Sequence, residues 1–203
     1  MKSDNRVVVY GGNGGIYSLF HDLTVCAYFY KNYGLKTILN EQQLALTIKR
    51  LSHQVLENHL DLDNTVLIGM QPRGIYVSDR IVAAIKEEIA PEKVLYGKLD
   101  ITFYRDDVRS ALHLANKTEI PFSVEGRKVV LIDDVLYTGR TIRAALDALL
   151  GFGRPEKVEL CILVDRRFNR QLPIQPDYVG KSIDTITSQR VKVLPDKHEV
   201  VMY

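Results

Sequence analysis

Val129-Val130-Leu131-Ile132-Asp133-Asp134-Val135-Leu136-Tyr137-Thr138-Gly139-Arg140-Thr141 is the stretch from which the fold is read. Its first four residues are apolar without a break, the mark of a strand covered on both faces. Asp133 and Asp134 stand where that strand is expected to end. Thr138 to Thr141 makes a turn. Ile142, Ala145, Leu146 and Leu149 then share one face of a helix, stopped at Gly151 or Gly153. A helix start offers N–H groups and a positive dipole end to an anion. Gly139 lets the backbone come close to it, and Thr138 and Thr141 add hydroxyls. The carboxylates can accept hydrogen bonds from a vicinal diol, or hold Mg²⁺ through it. This is the layout of a site for a sugar phosphate. Two adjacent carboxylates alone would favour a plain turn cap; the whole combination reverses that.

Outward from this stretch the pattern alternates. Asn40 is an N-cap with Gln43 as its capping-box partner, and Leu44, Ile48, Leu51 and Val55 fall on one helix face. Thr65 to Met70 reads as a buried strand and Gln71-Pro72-Arg73-Gly74 as a turn. Val77, Ile81, Val82, Ile85 and Ile89 mark a second helix, closed by Pro91. Strands are expected over Val94–Asp100 and Val158–Val164, and a hairpin over Val191–Tyr203 turning at Pro195-Asp196-Lys197. Asp100 to Phe122 has no period and reads as a functional loop or excursion. Such alternation predicts a doubly wound, mostly parallel α/β sheet flanked by helices. In such sheets ligands sit beyond the carboxyl ends of the strands, which singles out the 71–74 and 133–141 turns.

The 203 residues, 46% hydrophobic and 26% charged, suit one globular domain, and a net charge of +2 neither demands nor excludes nucleic acid. Cys26 and Cys161 form no disulfide framework or metal motif, and Cys161 lies in an apolar run as a packing thiol. No segment reads as a membrane span or secretory signal, so a reducing, cytoplasmic setting is expected. The first 34 residues differ: they hold seven of the 17 aromatics and the run Gly11-Gly12-Asn13-Gly14-Gly15 after a strand-like Val7–Val9. That run lacks the G-x-G-x-x-G spacing of a dinucleotide loop, so residues 1–34 are expected to be a turn-containing or disordered extension. The composition break at Gly34 also suggests initiation at Leu35, with 35–203 as the working domain.

The 129–141 stretch closely resembles the phosphoribosyl pyrophosphate (PRPP) motif of type I phosphoribosyltransferases. The resemblance continues through Asp100-Ile101-Thr102-Phe103-Tyr104-Arg105-Asp106-Asp107, Val164-Asp165-Arg166, and Leu172-Pro173-Ile174-Gln175-Pro176-Asp177-Tyr178-Val179-Gly180-Lys181. There the chain is similar to the branch that joins uracil phosphoribosyl transfer to control of pyrimidine operons. The resemblance implies the type I phosphoribosyltransferase fold, with a small hood and a flexible loop. It implies that uracil and PRPP become UMP and pyrophosphate, with Mg²⁺ held mainly through PRPP and Asp133 or Asp134 within its reach. Residues 129–141 would bind PRPP, the acidic pair taking the ribose hydroxyls and Thr138–Thr141 the 5-phosphate. Pro72, Arg73 and Gly74 would bind pyrophosphate, often with a non-proline cis peptide there. Tyr104 and Arg105 would close over the substrate, with Arg105 joining Asp133 and Asp134 in catalysis. Asp165, Arg166, Tyr178 and Val179 would surround the base, Tyr178 by stacking.

The same branch binds a leader hairpin of mRNA, and Lys49, Arg50, His53, Arg170 and Lys181 match its basic positions. Gln175 and Asn169 depart from the arginine and histidine common there, and each missing cation removes a phosphate contact. The plainer reading makes Lys49, Arg50 and His53 the solvated face of a helix. Two alternatives stay open: a purine enzyme using hypoxanthine, against which Asp165 speaks because purine relatives commonly place lysine there, and a non-catalytic RNA-binding sensor of PRPP or UMP. The family also implies a homodimer or larger assembly.

Overall fold

Unbroken apolar runs become strands only where both sheet faces are covered, and three such runs form the centre of this protein. The computed structural model describes residues 7–10, 16–19, 35–104 and 117–203. In chain order the elements are β1 (Val7–Tyr10), β2 (Ile16–Leu19), β3 (Lys36–Leu39), α1 (Glu41–His59), β4 (Thr65–Met70), α2 (Ile75–Glu88) and β5 (Leu95–Leu99). Then follow β6 (Lys128–Leu136), α3 (Arg140–Leu149), β7 (Lys157–Arg167), β8 (Tyr178–Asp184), β9 (Val191–Leu194) and β10 (Glu199–Met202). Five strands make a parallel sheet in the order β5-β4-β6-β7-β8. A second, antiparallel sheet has the order β3-β10-β9, and β1 pairs antiparallel with β2. The glycine run 11–15, Cys26 and Arg105 lie outside the described residues.

Alternation along each central strand sends neighbouring side chains to opposite faces. Leu67, Val130 and Ile132 pack with Leu44, Leu51 and Ile81 from α1 and α2 on one face. Val66, Ile68, Val129 and Leu131 pack with Ile142, Ala145 and Leu149 of α3 on the other. Cys161 is buried on the first face, where burial pushes its thiol up to about 12. The Asn40–Gln43 capping box forms as expected, with contacts of 2.9 and 3.1 Å. The C-terminal hairpin also forms, turning through a 3₁₀ segment at Pro195–Lys197. His198, just past that turn, is tied to α2 by the Tyr76 hydroxyl, 2.8 Å from its Nδ1. No helix among the described residues is long and apolar enough to cross a membrane.

Two expectations change. β6 does not end at the carboxylates but runs through them to Leu136, because β7 continues beside it and pairs Val135 with Val164 and Leu136 with Asp165. β8, unforeseen as a strand, forms the sheet edge, with Tyr178 as its first residue.

The chain passes from β4 outward to β5, then returns to place β6 on the other side of β4. The order of winding therefore reverses between β4 and β6, and a crevice opens beyond the carboxyl ends of strands at such a point.

Candidate active site

Two turns leave the sheet at that reversal: residues 71–74 after β4 and residues 137–139 after β6. A Cβ on Gly74 would lie 2.7 Å from the Met70 carbonyl, 2.8 Å from Asp133 Oδ1 and 2.9 Å from the Ile132 carbonyl. Only glycine lets the first turn sit this close to the acidic strand. The Gln71–Pro72 bond before it is cis, whereas the expectation was a non-proline cis peptide; it is the only cis bond found among the described residues.

Between the turns lies a cavity of about 810 Å³. Its floor holds Asp133 and Asp134, only 5% and 8% exposed although both are charged residues. Asp133 Oδ1 accepts the Asp134 N–H at 2.9 Å, and Asp134 Oδ1 accepts the Val135 N–H at 2.7 Å. Burial and then the Asp134 charge push the Asp133 carboxyl well up. Burial also raises Asp134, and the Arg73 charge opposes the shift at both. A pair held this way favours a cation or hydrogen-bond donors above it.

One side of the cavity is the start of α3. Gly139 is its N-cap, with φ 92° and no side-chain cap of its own; the Arg140 N–H reaches Thr138 Oγ1 at 3.4 Å. Helix-start N–H groups left uncapped need an outside acceptor. Thr138 and Thr141 line the same side, with Arg140. The other side is Arg166 at the end of β7 and Arg190, Val191 and Lys192 around the start of β9. Arg166 stacks over Tyr137, 3.9 Å from guanidinium carbon to ring centre, and donates to Thr185 Oγ1 at 3.0 Å and to the Gln189 carbonyl at 2.8 Å. Burial lowers its pKa.

The structure thus brings together Pro72, Arg73, Asp133, Asp134, Thr138–Thr141 and Arg166, with Gly74 packed behind. Val129–Ile132 lie upstream in the buried strand. Tyr104 is exposed beyond β5, and Arg105 lies outside the described residues.

Three residues expected around the base are not among those lining this cavity. Tyr178 is 4% exposed and pairs with Cys161 in the middle of β7, its side chain reaching back toward the amino end of that strand. There its hydroxyl donates to Glu159 Oε2 at 2.6 Å and accepts from Asn58 at 3.1 Å. It is a core tyrosine, because its face of β8 packs against α1. The Val179 carbonyl accepts from Arg50 at 3.2 Å, and Asp165 is ion-paired with Arg170. The cavity wall missed in the sequence is 190–192. Its alternating basic–apolar–basic order was the available signal, but only the pairing of distant strands brings it here.

Of the five basic positions matched to RNA binding, Lys49 and His53 line a smaller groove between α1 and α2. Arg50 donates to the carbonyls of Val179 and Gly180, and Lys181 to that of Ile38 at 3.1 Å. Arg170 lies apart from these four, behind the 137–139 turn.

A family model described as phosphoribosyl transferase domain matches residues 34–197. A protein of Elusimicrobium minutum called bifunctional protein PyrR is 47% identical over 161 residues, spanning 78% of this chain and 88% of that protein. One of the same name from Haemophilus ducreyi is 46% identical over 172 residues, spanning 82% of this chain and 93% of that protein. Among solved structures, a hypoxanthine phosphoribosyltransferase from Trypanosoma cruzi superposes with a TM-score of 0.64 at 17% identity, covering 82% of this chain and 93% of that one. One from Staphylococcus aureus gives 0.59 at 20% identity, covering 74% and 79%. At that identity the likeness is one of fold.

Proposed function

The chain belongs to the phosphoribosyl transferase domain family, and from that premise we propose that it transfers the phosphoribosyl group of PRPP to uracil, giving UMP and pyrophosphate. The observation that carries this is the buried Asp133–Asp134 pair facing Arg73 across a cavity whose other walls are a helix start and three further cations, Arg166, Arg190 and Lys192.

The reaction breaks the bond from the anomeric carbon to pyrophosphate and forms one to the base nitrogen, through an oxocarbenium-like sugar. It asks for positioning, charge neutralisation and exclusion of water. The α3 start with Thr138 and Thr141 takes the 5-phosphate, which fixes the sugar at one end. Asp133 and Asp134 accept hydrogen bonds from the ribose hydroxyls. Their negative charge lies under the ring that becomes positive. Arg73 and the 71–74 turn hold the leaving pyrophosphate. The base lies toward Arg166 and Val191, in place of the Tyr178 pocket expected from sequence.

Among the described residues no group of three or more His, Cys, Asp or Glu is placed to hold a metal. The two carboxylates fit a Mg²⁺ shared with the substrate: Asp133 or Asp134 would hold it from the protein side, and it would supply charge neutralisation for the leaving group.

Uracil is favoured over hypoxanthine by the 42–49% identity to proteins named PyrR, against 17–20% to the hypoxanthine enzymes. The word bifunctional in that name is in keeping with a second activity, which the sequence resemblance makes binding of a pyrimidine leader RNA; Lys49, Arg50, His53 and Lys181, on α1 and β8, are its candidate contacts. We assign the transfer to residues 35–203, with 1–34 as an extension, in a cytoplasmic homodimer or larger assembly.

Steady-state assays with PRPP, Mg²⁺ and each of uracil, hypoxanthine, guanine and orotate test this. Turnover with uracil alone is expected. Turnover with hypoxanthine but not uracil overturns the base, and no turnover with any base, beside UMP-dependent RNA binding, leaves only the regulator. Asp134→Asn is expected to lower turnover on the order of 10²-fold with the fold intact; unchanged kinetics would remove the pair from the mechanism.

A further inference from the structure

Arg170 has its guanidinium wedged behind the turn that the transfer reaction assigns to the 5-phosphate. Its side chain is 23% exposed. Nη1 donates to the Tyr137 carbonyl at 2.5 Å and lies 3.3 Å from that of Leu136. Nε donates to the Ile174 carbonyl at 3.0 Å, and Nη2 donates to Asp165 Oδ1. The next carbonyl of the turn, Thr138, accepts the N–H groups of Gln171 at 3.0 Å and Leu172 at 3.3 Å. Residues 170–172 therefore hold three successive carbonyl oxygens of the turn, at 136, 137 and 138, on one side.

A trans peptide sends its C=O and N–H in opposite directions. With the oxygens of 136, 137 and 138 drawn back, the N–H groups of Tyr137, Thr138 and Gly139 point the other way, toward the cavity these residues line. Successive N–H groups facing one space make an anion-binding nest. We propose that Arg170 is a positioning residue. It clamps the carbonyls of the 136–138 segment so that the backbone presents a preformed phosphate nest, and it does so without touching substrate.

The ion pair with Asp165 cancels the guanidinium charge locally, so Arg170 acts through geometry more than through attraction. Its fork spans carbonyls from two separated nitrogens, Nε and Nη1, a spread that the single nitrogen of a lysine does not cover. The Arg166 carbonyl lies 3.4 Å from the same Nη1, so the clamp also abuts the residue that walls the base side. This role takes the place of the RNA contact expected of Arg170, which lies behind the 137–139 turn, apart from the other four basic positions.

The proposal rests on the 137–141 turn being the 5-phosphate site, and the test separates the two. PRPP binding is measured by calorimetry, and turnover by steady-state kinetics, for the full chain and for Arg170→Gln and Arg170→Lys. Thermal melting controls for folding. The expected result is KM and Kd for PRPP raised on the order of 10²-fold in both variants, with KM for the base within a few-fold of the parent. Added guanidinium at millimolar levels should restore part of the affinity to Arg170→Ala. If the parent itself fails to bind PRPP, the site assignment falls. If the parent binds and Arg170→Lys binds PRPP as well as the parent, the clamp is wrong. Loss of leader-RNA binding with PRPP kinetics unchanged likewise overturns it, and returns Arg170 to an RNA surface. Should Arg170→Gln melt below the assay temperature, Arg170→Lys decides alone.

Discussion

Glu159 is a carboxylate almost out of water, held by Lys157 Nζ at 2.5 Å, the Tyr178 hydroxyl at 2.6 Å and His59 Nε2 at 2.7 Å. Burial alone would raise its pKa, but the bonds from Lys157, Tyr178 and His59 outweigh that and bring it to about 2. Burial raises the Tyr178 hydroxyl, and the bond to Glu159 adds to it. A carboxyl with a depressed folded pKa contributes stability above its unfolded value. That contribution is lost as the pH falls from about 4.5, the ordinary value, toward 2. Glu159→Gln should therefore flatten the acid limb of a urea-midpoint profile over that range; an unchanged slope would show that the cluster is not coupled to folding. Tyr178→Phe should cost about 1 kcal/mol of stability and leave KM for the base where it was. A rise in that KM would restore the stacking role first expected for Tyr178. Sequence could not decide this residue. It stands in an alternating segment, and which face of β8 meets α1 is settled only by packing. Asp133 and Asp134, by contrast, are legible through their surroundings: alone they favour a turn cap, and the Thr138–Thr141 turn and the helix after it reverse that.

The contact between the 71–74 turn and β6 is where two elements must fit within a carbon atom of each other. Gly74→Ala is expected to push the turn off the acidic strand, at a cost of roughly 1–3 kcal/mol in stability. KM for PRPP should rise as Arg73 moves from Asp133. A variant with the parent's urea midpoint and KM would mean the turn yields freely. At this scale the helices were legible, because α1 carries its capping box and both α1 and α2 keep a 3.6-residue period. β6 was read too short because an acidic pair normally ends a buried strand. Its extension depends on β7, which pairs with it as far as Asp165. β3 was invisible for another reason: four residues, two of them exposed, carry no period to detect.

Over the whole molecule, the parallel sheet follows from the order in which strands and helices alternate, and the sequence displays that order. The wall made by Arg190, Val191 and Lys192 does not follow from it. That wall depends on β9 joining β10, and on β10 joining β3 from the opposite end of the domain. The cleft is thus built from two unlike halves: a sheet of neighbouring segments, and a hood stitched from distant ones.

The stitch has a consequence for how the protein is made. Leu39 faces Val200 across the β3–β10 pair, so closing the hood brings together nearly the full span of the domain. The parallel sheet pairs segments that lie closer together in the chain than β3 and β10 do. Loop-closure entropy grows with separation, and distant pairings lag behind local ones. In refolding followed by pulsed hydrogen exchange, amides of β4, β6 and β7 should gain protection before those of β3 and β10; the reverse order would sink this account. A chain emerging from the ribosome would likewise complete its 71–74 and 137–139 turns before the 190–192 wall, and the cleft would close on that side only when β9 and β10 arrived.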